Sequence, residues 1–433
     1  MKTKISTFLK ERPERFKPEE ANKLNLKRLQ KIDFSGNMHF LEDKKTNTNM
    51  ILIKPGDLVI SGINVEKGAV AVYQGDEEVL ATIHYSSYEF DKNKIDIEYF
   101  KWFLKSDAFR KVVQSQTRGG IKTELKPKKF LPLEIDLPDI KKQREILNKI
   151  NKVKREINQL RNNIFHDKEL LNRFKQAILS EAVQGKLVKQ NSEDEPATEL
   201  LKKMEKEKEK LIKEGKIKKG KELPTISDDE IPYDLPKGWV WCRSGEVCWI
   251  NPRNNGLDNN LEVAFIPMNL IKGNARNSFE QQIKKWGVIK SGFTHFAEED
   301  VIFAKITPCF QNRNSAILRN LKNKYGAGTT ELYVLRGYGK LILPEFLFLL
   351  VNTKNFIDEG VVTYKGTAGQ QRIKRNFVEN YIIGLPPLAE QKRIVEKVDA
   401  LMKSCDELEN KIKESSKNSQ MLMNSILTEV FMN

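Results

Sequence analysis

Cys242, Cys248 and His295 come closest to a metal-ligand set, because thiolates and imidazole are the usual protein donors to zinc. Five residues separate the two thiols and no fourth ligand follows at a suitable spacing, so buried thiols are the better reading. The four cysteines, which include Cys309 and Cys405, form no C-x-x-C pair and are too few for a disulfide scaffold. His39, His84, His166 and His295 show no triad spacing. Gly215, Gly220 and Lys221 imitate a phosphate-binding loop, but Glu222 stands where a magnesium-binding hydroxyl belongs. Asn251-Pro252-Arg253 lacks the aromatic that would stack a flipped adenine, and no G-x-G-x-x-G follows a strand. Pro138-Asp139 opens a helix rather than a nuclease hairpin. No catalytic residue and no metal ligand is therefore expected in this chain.

What remains are loops rich in groups that touch nucleic acid. Gln311, Arg313 and Asn314, flanked by Lys305 and Thr307, offer amides and a guanidinium that pair bidentately with purine edges. Gly366, Gln370, Gln371, Arg372 and Lys374 combine a glycine for close backbone approach with amides and cations. Earlier in the chain Arg118, Gly119, Gly120, Lys122, Thr123 and Lys126 form the equivalent place, with Lys128 and Lys129 beside them. Lys67 joins this set, and Asn64, Ser86, Ser87 and Tyr88 are weaker candidates.

The elements that must position these loops occur twice. Leu137-Pro138-Asp139-Ile140-Lys141-Lys142-Gln143-Arg144-Glu145-Ile146 recurs as Leu385-Pro386-Pro387-Leu388-Ala389-Glu390-Gln391-Lys392-Arg393-Ile394, 248 residues later. Each copy opens a long helix. Ile146, Ile150, Val153, Ile157, Leu160 and Ile164 keep a 4-3-4 spacing, as do Ile394, Val398, Leu401, Cys405, Leu408 and Ile412. That is the apolar seam of a coiled coil, continued by Leu171, Phe174 and Ile178 in the first copy and by Leu422 and Ile426 in the second. Upstream, Gly56-Asp57-Leu58 parallels Glu299-Asp300-Val301, each an acid before a short apolar strand, and an amphipathic helix and a basic glycine loop follow in both copies. Each block reads as mixed α/β, ending in a strand, an LP turn and the helix. Between the copies, Glu199 to Glu222 reads as a solvated charged helix inside a linker.

With 433 residues, several domains are expected. The surplus of 75 Lys+Arg over 59 Asp+Glu, a net +16, favours a polyanionic partner. The surplus is uneven: residues 140–190 carry +8, residues 236–387 carry +8 and residues 388–433 carry −1. No apolar run would span a bilayer and no secretory leader opens the chain, so a cytoplasmic protein is expected.

This organisation resembles the specificity (S) subunit of type I restriction-modification systems. The residues that carry the likeness are Leu385 to Val395, the segment from Ala177 to Val188, and the linker from Glu195-Pro196-Ala197 through Ile231-Pro232-Tyr233 to Trp239. A counterpart of Leu235 to Trp239 is absent before the first block. The resemblance implies an α+β fold with two target-recognition domains in tandem, each followed by a long helix, the helices pairing as an antiparallel coiled coil. The domains would be residues 1–139, the first conserved helix 140–190, a charged linker 191–235, the second recognition domain 236–387 and the second helix 388–433. It further implies a non-catalytic subunit that reads an asymmetric bipartite site in double-stranded DNA. Adenine methylation would belong to two methyltransferase (M) subunits and ATP-dependent cleavage to restriction (R) subunits, which would supply S-adenosylmethionine, ATP and Mg2+ binding. The residues alone leave three rivals: a DNA-binding regulator that dimerises through its coiled coil, a nuclease or methyltransferase with an unfamiliar site, and an RNA-binding scaffold.

Overall fold

The structure, a computed structural model, describes residues 2–41, 45–64, 67–116, 124–220, 222–367 and 369–432. It divides into two compact units, Met1–Asp167 with Lys411–Asn433 and Lys168–Asn410. The long helices Ile140–Val183 and Leu388–Met432 each contribute a part to both units.

In the first unit, a four-stranded antiparallel sheet runs in the order Leu9–Glu11, Tyr85–Phe90, Leu58–Ser61, Val70–Val72. In the second, the order Cys248–Ile250, Leu332–Gly337, Val301–Ala304, Ser315–Ile317 repeats it strand for strand. Each unit has a second sheet built around one parallel pair, Arg28–Ile32 with Val79–Thr82 in the first and Glu262–Ile266 with Tyr325–Gly328 in the second. A two-stranded ribbon completes each, Lys2–Lys4 with Glu134–Asp136 and Val240–Arg243 with Ile382–Leu385. Lys2–Lys4 is thus the counterpart of Val240–Arg243, the strand that follows Leu235–Trp239 in the second unit.

The repeated acid before the apolar strand has a structural cause. Asp57 is buried and accepts from the Arg12 guanidinium, from Ser87 Oγ at 2.8 Å and from the Lys54 amide. Asp300, equally buried, takes a two-pronged Arg336 at 2.7 Å for both bonds. A carboxylate removed from water requires such a partner. Ser86, Ser87 and Tyr88 lie buried in the central strand of the first sheet, so these candidates belong to the core, where strand alternation and Asp57 hold them.

The repeated glutamine of the LP segment is buried in both copies. Gln143 accepts from the Asp96 amide at 2.7 Å and donates to the Lys94 and Pro138 carbonyls. Gln391 accepts from the Leu343 amide at 2.8 Å and donates to Pro386 O. Asp96 and Leu343 are the N-caps of the block helices Ile97–Leu104 and Pro344–Val351. One side chain therefore ties the first turn of each long helix to the start of a block helix.

The long helices touch in antiparallel order inside each unit. Arg161 donates to Gln420 in the first, and Lys175 bridges Asp406 and Glu409 in the second. Burial is deepest at seven-residue intervals, at Ile150, Ile157, Ile164, Leu171 and Ile178 on one helix and at Val398, Cys405 and Ser419 on the other. Ile394 is buried too, while Ile146, Val153, Leu160, Leu401 and Ile412 are half-buried. Phe174, Leu408 and Leu422, expected in the seam, are 50 %, 48 % and 48 % exposed. A contact between two helices covers a narrow stripe, so one column is covered while much of the other opens outward. The charged helix between the copies, Ala197–Lys213, is not merely solvated: Ala197, Leu200 and Met204 are buried.

Candidate nucleic-acid interface

In the second unit the strand Val301–Ala304 runs out into the 305–314 loop, and the 365–374 loop folds back onto it. Ile306 bridges Arg372, Thr307 and Gln371 bond through their backbones, and the Ile373 amide donates to Lys305 O at 3.0 Å. The two loops singled out from sequence are thereby one surface. Gly366 and Gly369 lie at φ +120° and +79°, and a Cβ on Gly366 would stand 2.9 Å from Gln370 O. A side chain there would be strained, which explains the glycine.

Within this surface the arginines are committed to the fold. Arg372 makes two 2.8 Å bonds to Glu331 and donates its remaining terminal nitrogen to Gln370 O. This pairing raises the Arg372 pKa and holds the Glu331 carboxyl below its ordinary value. Arg313 is half-buried, with Nε on Asn352 O and a terminal nitrogen on Gln176 Oε1; burial lowers its pKa. Asn314 donates to Ile271 O. These groups fix the loops. Gln311 and Lys374 are exposed, Gln370 is exposed and Gln371 half-buried, so these side chains supply the surface's amides and a cation. Lys305 sits 5.5 Å from the Tyr333 ring centre, and burial, with Arg372 adding repulsion, pushes its pKa down.

The first unit arranges the same elements. The Leu125 amide donates to Gly62 O at 2.8 Å, the counterpart of Ile373 on Lys305, and Lys126 caps the short helix Pro127–Phe130 as Lys374 caps Arg375–Asn380. Lys126 is exposed, 3.5 Å from Glu124, and Lys67 is exposed beside the Phe34 ring. Arg118, Gly119, Gly120, Lys122 and Thr123 lie outside the described residues.

Glu331, Gln143, Gln391, Arg12 and Arg336 were not singled out from sequence as functional. The glutamines and the paired acids had a readable signal, their recurrence 248 and 243 residues apart; Glu331 had none. Among the described residues no group of three or more His, Cys, Asp or Glu converges as a metal site. Among the same residues no helix is long and apolar enough to cross a membrane.

Residues 236–417 match the family model of the type I restriction modification DNA specificity domain. The chain is 45 % identical over 257 residues to the type I restriction enzyme EcoAI specificity subunit of Escherichia coli, covering 59 % of this chain and 44 % of that protein. It is 43 % identical over 257 residues to the EcoEI specificity subunit of the same organism, covering 43 % of it. The matched stretch thus spans less than half the length of these two relatives. The EcoKI specificity subunit of Escherichia coli strain K12 is 21 % identical over 405 residues, 90 % of this chain and 80 % of the relative. Among solved structures, the HsdS subunit from Thermoanaerobacter tengcongensis aligns over 100 % of this chain and 96 % of its own, with TM-score 0.57 and 16 % identity. A chain from a structural study of complex assembly and conformational transition of the type I R-M system aligns with TM-score 0.63 and 16 % identity, over 100 % and 97 %. The chain thus has the α+β fold of HsdS, and its matched stretches are similar to the specificity subunits of type I restriction enzymes.

Proposed function

From this similarity to type I restriction-modification specificity subunits, we propose that the chain is the DNA-recognition subunit of such a complex. It reads a bipartite, asymmetric site in double-stranded DNA and performs no catalysis itself. Its partners are M subunits, two per chain, and R subunits; S-adenosylmethionine, ATP and Mg2+ are theirs to bind, in the cytoplasm. The long helices pair as an antiparallel coiled coil along their length.

The observation that carries the reading is the duplicated surface. In each unit the loop after the third strand of the four-stranded antiparallel sheet meets a basic segment that caps a short helix, with the same backbone bond at the junction. The two copies differ in their side chains, so each reads a different base sequence. Lys67, Lys126, Lys305 and Lys374 contact phosphates, and Gln311, Gln370 and Gln371 contact base edges; Arg118, Gly119, Gly120, Lys122 and Thr123, outside the described residues, are assigned to DNA contact from the sequence. Arg313, Asn314 and Arg372 position these loops.

The test is co-expression with a type I methyltransferase (M) subunit from the same genome. Methyl transfer from labelled S-adenosylmethionine into plasmid DNA is expected only when this chain is present. Transfer that is indifferent to the chain contradicts the proposal. A stable homodimer that binds DNA and no methyltransferase supports the regulator.

A further inference from the structure

At one place the two units solve the same packing problem differently. In the second unit the recognition loop, the end of the block helix and the long helix are joined through Arg313, which bonds Asn352 O and Gln176. In the first unit the corresponding loop and helix end carry Lys67 and Lys105, and Lys154 on the first long helix shares an aromatic ring with Lys105.

These three ammonium groups are held by aromatic faces. Lys105 and Lys154 share the Trp102 ring, at 5.8 and 5.7 Å from its centre, and Lys67 stands 5.9 Å from the Phe34 ring centre. Lys105 also reaches Phe34 O at 3.4 Å. Aromatic faces orient cations without neutralising them. Nearby carboxylates are otherwise engaged: Glu98 pairs with Lys101 at 2.9 Å, and Asp33 accepts from Ser35 and Asn37. Among the described residues no ion pair reaches Lys67, Lys105 or Lys154. After burial itself, Lys101 and Lys154 push the Lys105 pKa down while Glu98 and Asp33 oppose them, and an arriving anion adds to that relief.

Lys154 also lines a shallow hollow of about 460 Å³ with Asn148, Asn151, Arg155 and Asn158. Its lining is amide donors and cations, the groups that bind phosphodiester oxygens. The second long helix cannot offer the same. At the positions 248 residues on, Asn148, Asn151 and Asn158 are replaced by Glu396, Asp399 and Asp406, and Lys154 by Met402.

Resting on the DNA-recognition reading, we propose that Lys105, Lys154 and the asparagine-lined hollow form a sequence-independent contact for the DNA phosphate backbone, present in the first unit and absent from the second. Lys67 links it to the recognition loop, which favours DNA over an acidic protein as the occupant. The contact adds affinity and orients the duplex, and it leaves base preference to the loops.

The experiment measures binding of the full chain, with its co-purified methyltransferase partner, to a fluorescein-labelled duplex of random sequence and to one carrying the methylated motif, across a salt series. Each phosphate contact contributes about 0.9 to the slope of log affinity against log salt. Lys105→Gln/Lys154→Gln is expected to lower the slope by about 2 and to weaken both duplexes by the same factor, roughly tenfold at moderate salt. Asn148→Glu/Asn151→Asp, which writes the second helix's acids into the first without removing a cation, is expected to weaken both equally, and Lys105→Arg/Lys154→Arg to retain binding. An unchanged slope in the glutamine variant overturns the inference while the recognition reading stands. Loss of the methyltransferase with an unchanged slope also overturns it, in favour of a protein-docking patch. Failure of the unaltered complex to bind either duplex overturns the recognition reading itself.

Discussion

Arg372 shows how a residue chosen for its chemistry acquires a different task from its neighbours. With Glu331 on one edge and Gln370 O on the other, its guanidinium braces the 365–374 loop. Arg372→Ala and Glu331→Gln remove the same clasp, so both are expected to relax base preference in one half of the recognised site and leave the other half unchanged, as read by methylation mapping. Because the folded Glu331 pKa is lowered, the clasp is intact above the ordinary carboxylate range and is lost as pH falls through the lowered value. Half-site discrimination in a binding assay follows the same direction. Lys126, exposed and 3.5 Å from Glu124, is assigned to a phosphate by the proposed function; Lys126→Ala is expected to weaken all duplexes alike and reduce the salt slope by about 1. The residue types drew attention to these loops, but Glu331 lies 41 residues from Arg372 in sequence, and no local pattern announces such a pair.

At the scale of elements, the long helices were legible because their period is sustained, yet periodicity does not say which column a partner covers. Ile157 is 2 % exposed and Leu408 48 %, so the two seam positions should behave differently. Ile157→Ala is expected to cost about 2–4 kcal/mol and Leu408→Ala to stay within about 0.5 kcal/mol, both measured by urea unfolding of the full chain. The buried glutamines give a second test. Gln143→Ala leaves the Asp96 amide without its acceptor, and Gln391→Ala does the same to Leu343. Each loss is expected to cost about 1–3 kcal/mol, visible as earlier unfolding in denaturant. The glutamine was printed twice in the sequence at one place in the repeat; its backbone partners were not, because they come from a helix start some 47 residues upstream.

For the molecule, duplication is the organising fact. Three sheets recur in both units, the first unit's second sheet carrying one additional edge strand, Arg15–Phe16, and the recurrence of the acid, the LP turn and the long helix made this legible in the sequence. The differences between copies were less legible, since a weak repeat hides where one copy has lost what the other keeps. Two unlike surfaces on one chain lead to the central claim, a two-part asymmetric DNA site. Its most direct test is to express the chain with a type I methyltransferase subunit from the same genome and map N6-methyladenine across a plasmid library by single-molecule sequencing. Methylation confined to an asymmetric motif of two short parts separated by an unspecified gap is the predicted result. A single continuous or palindromic motif would contradict the account.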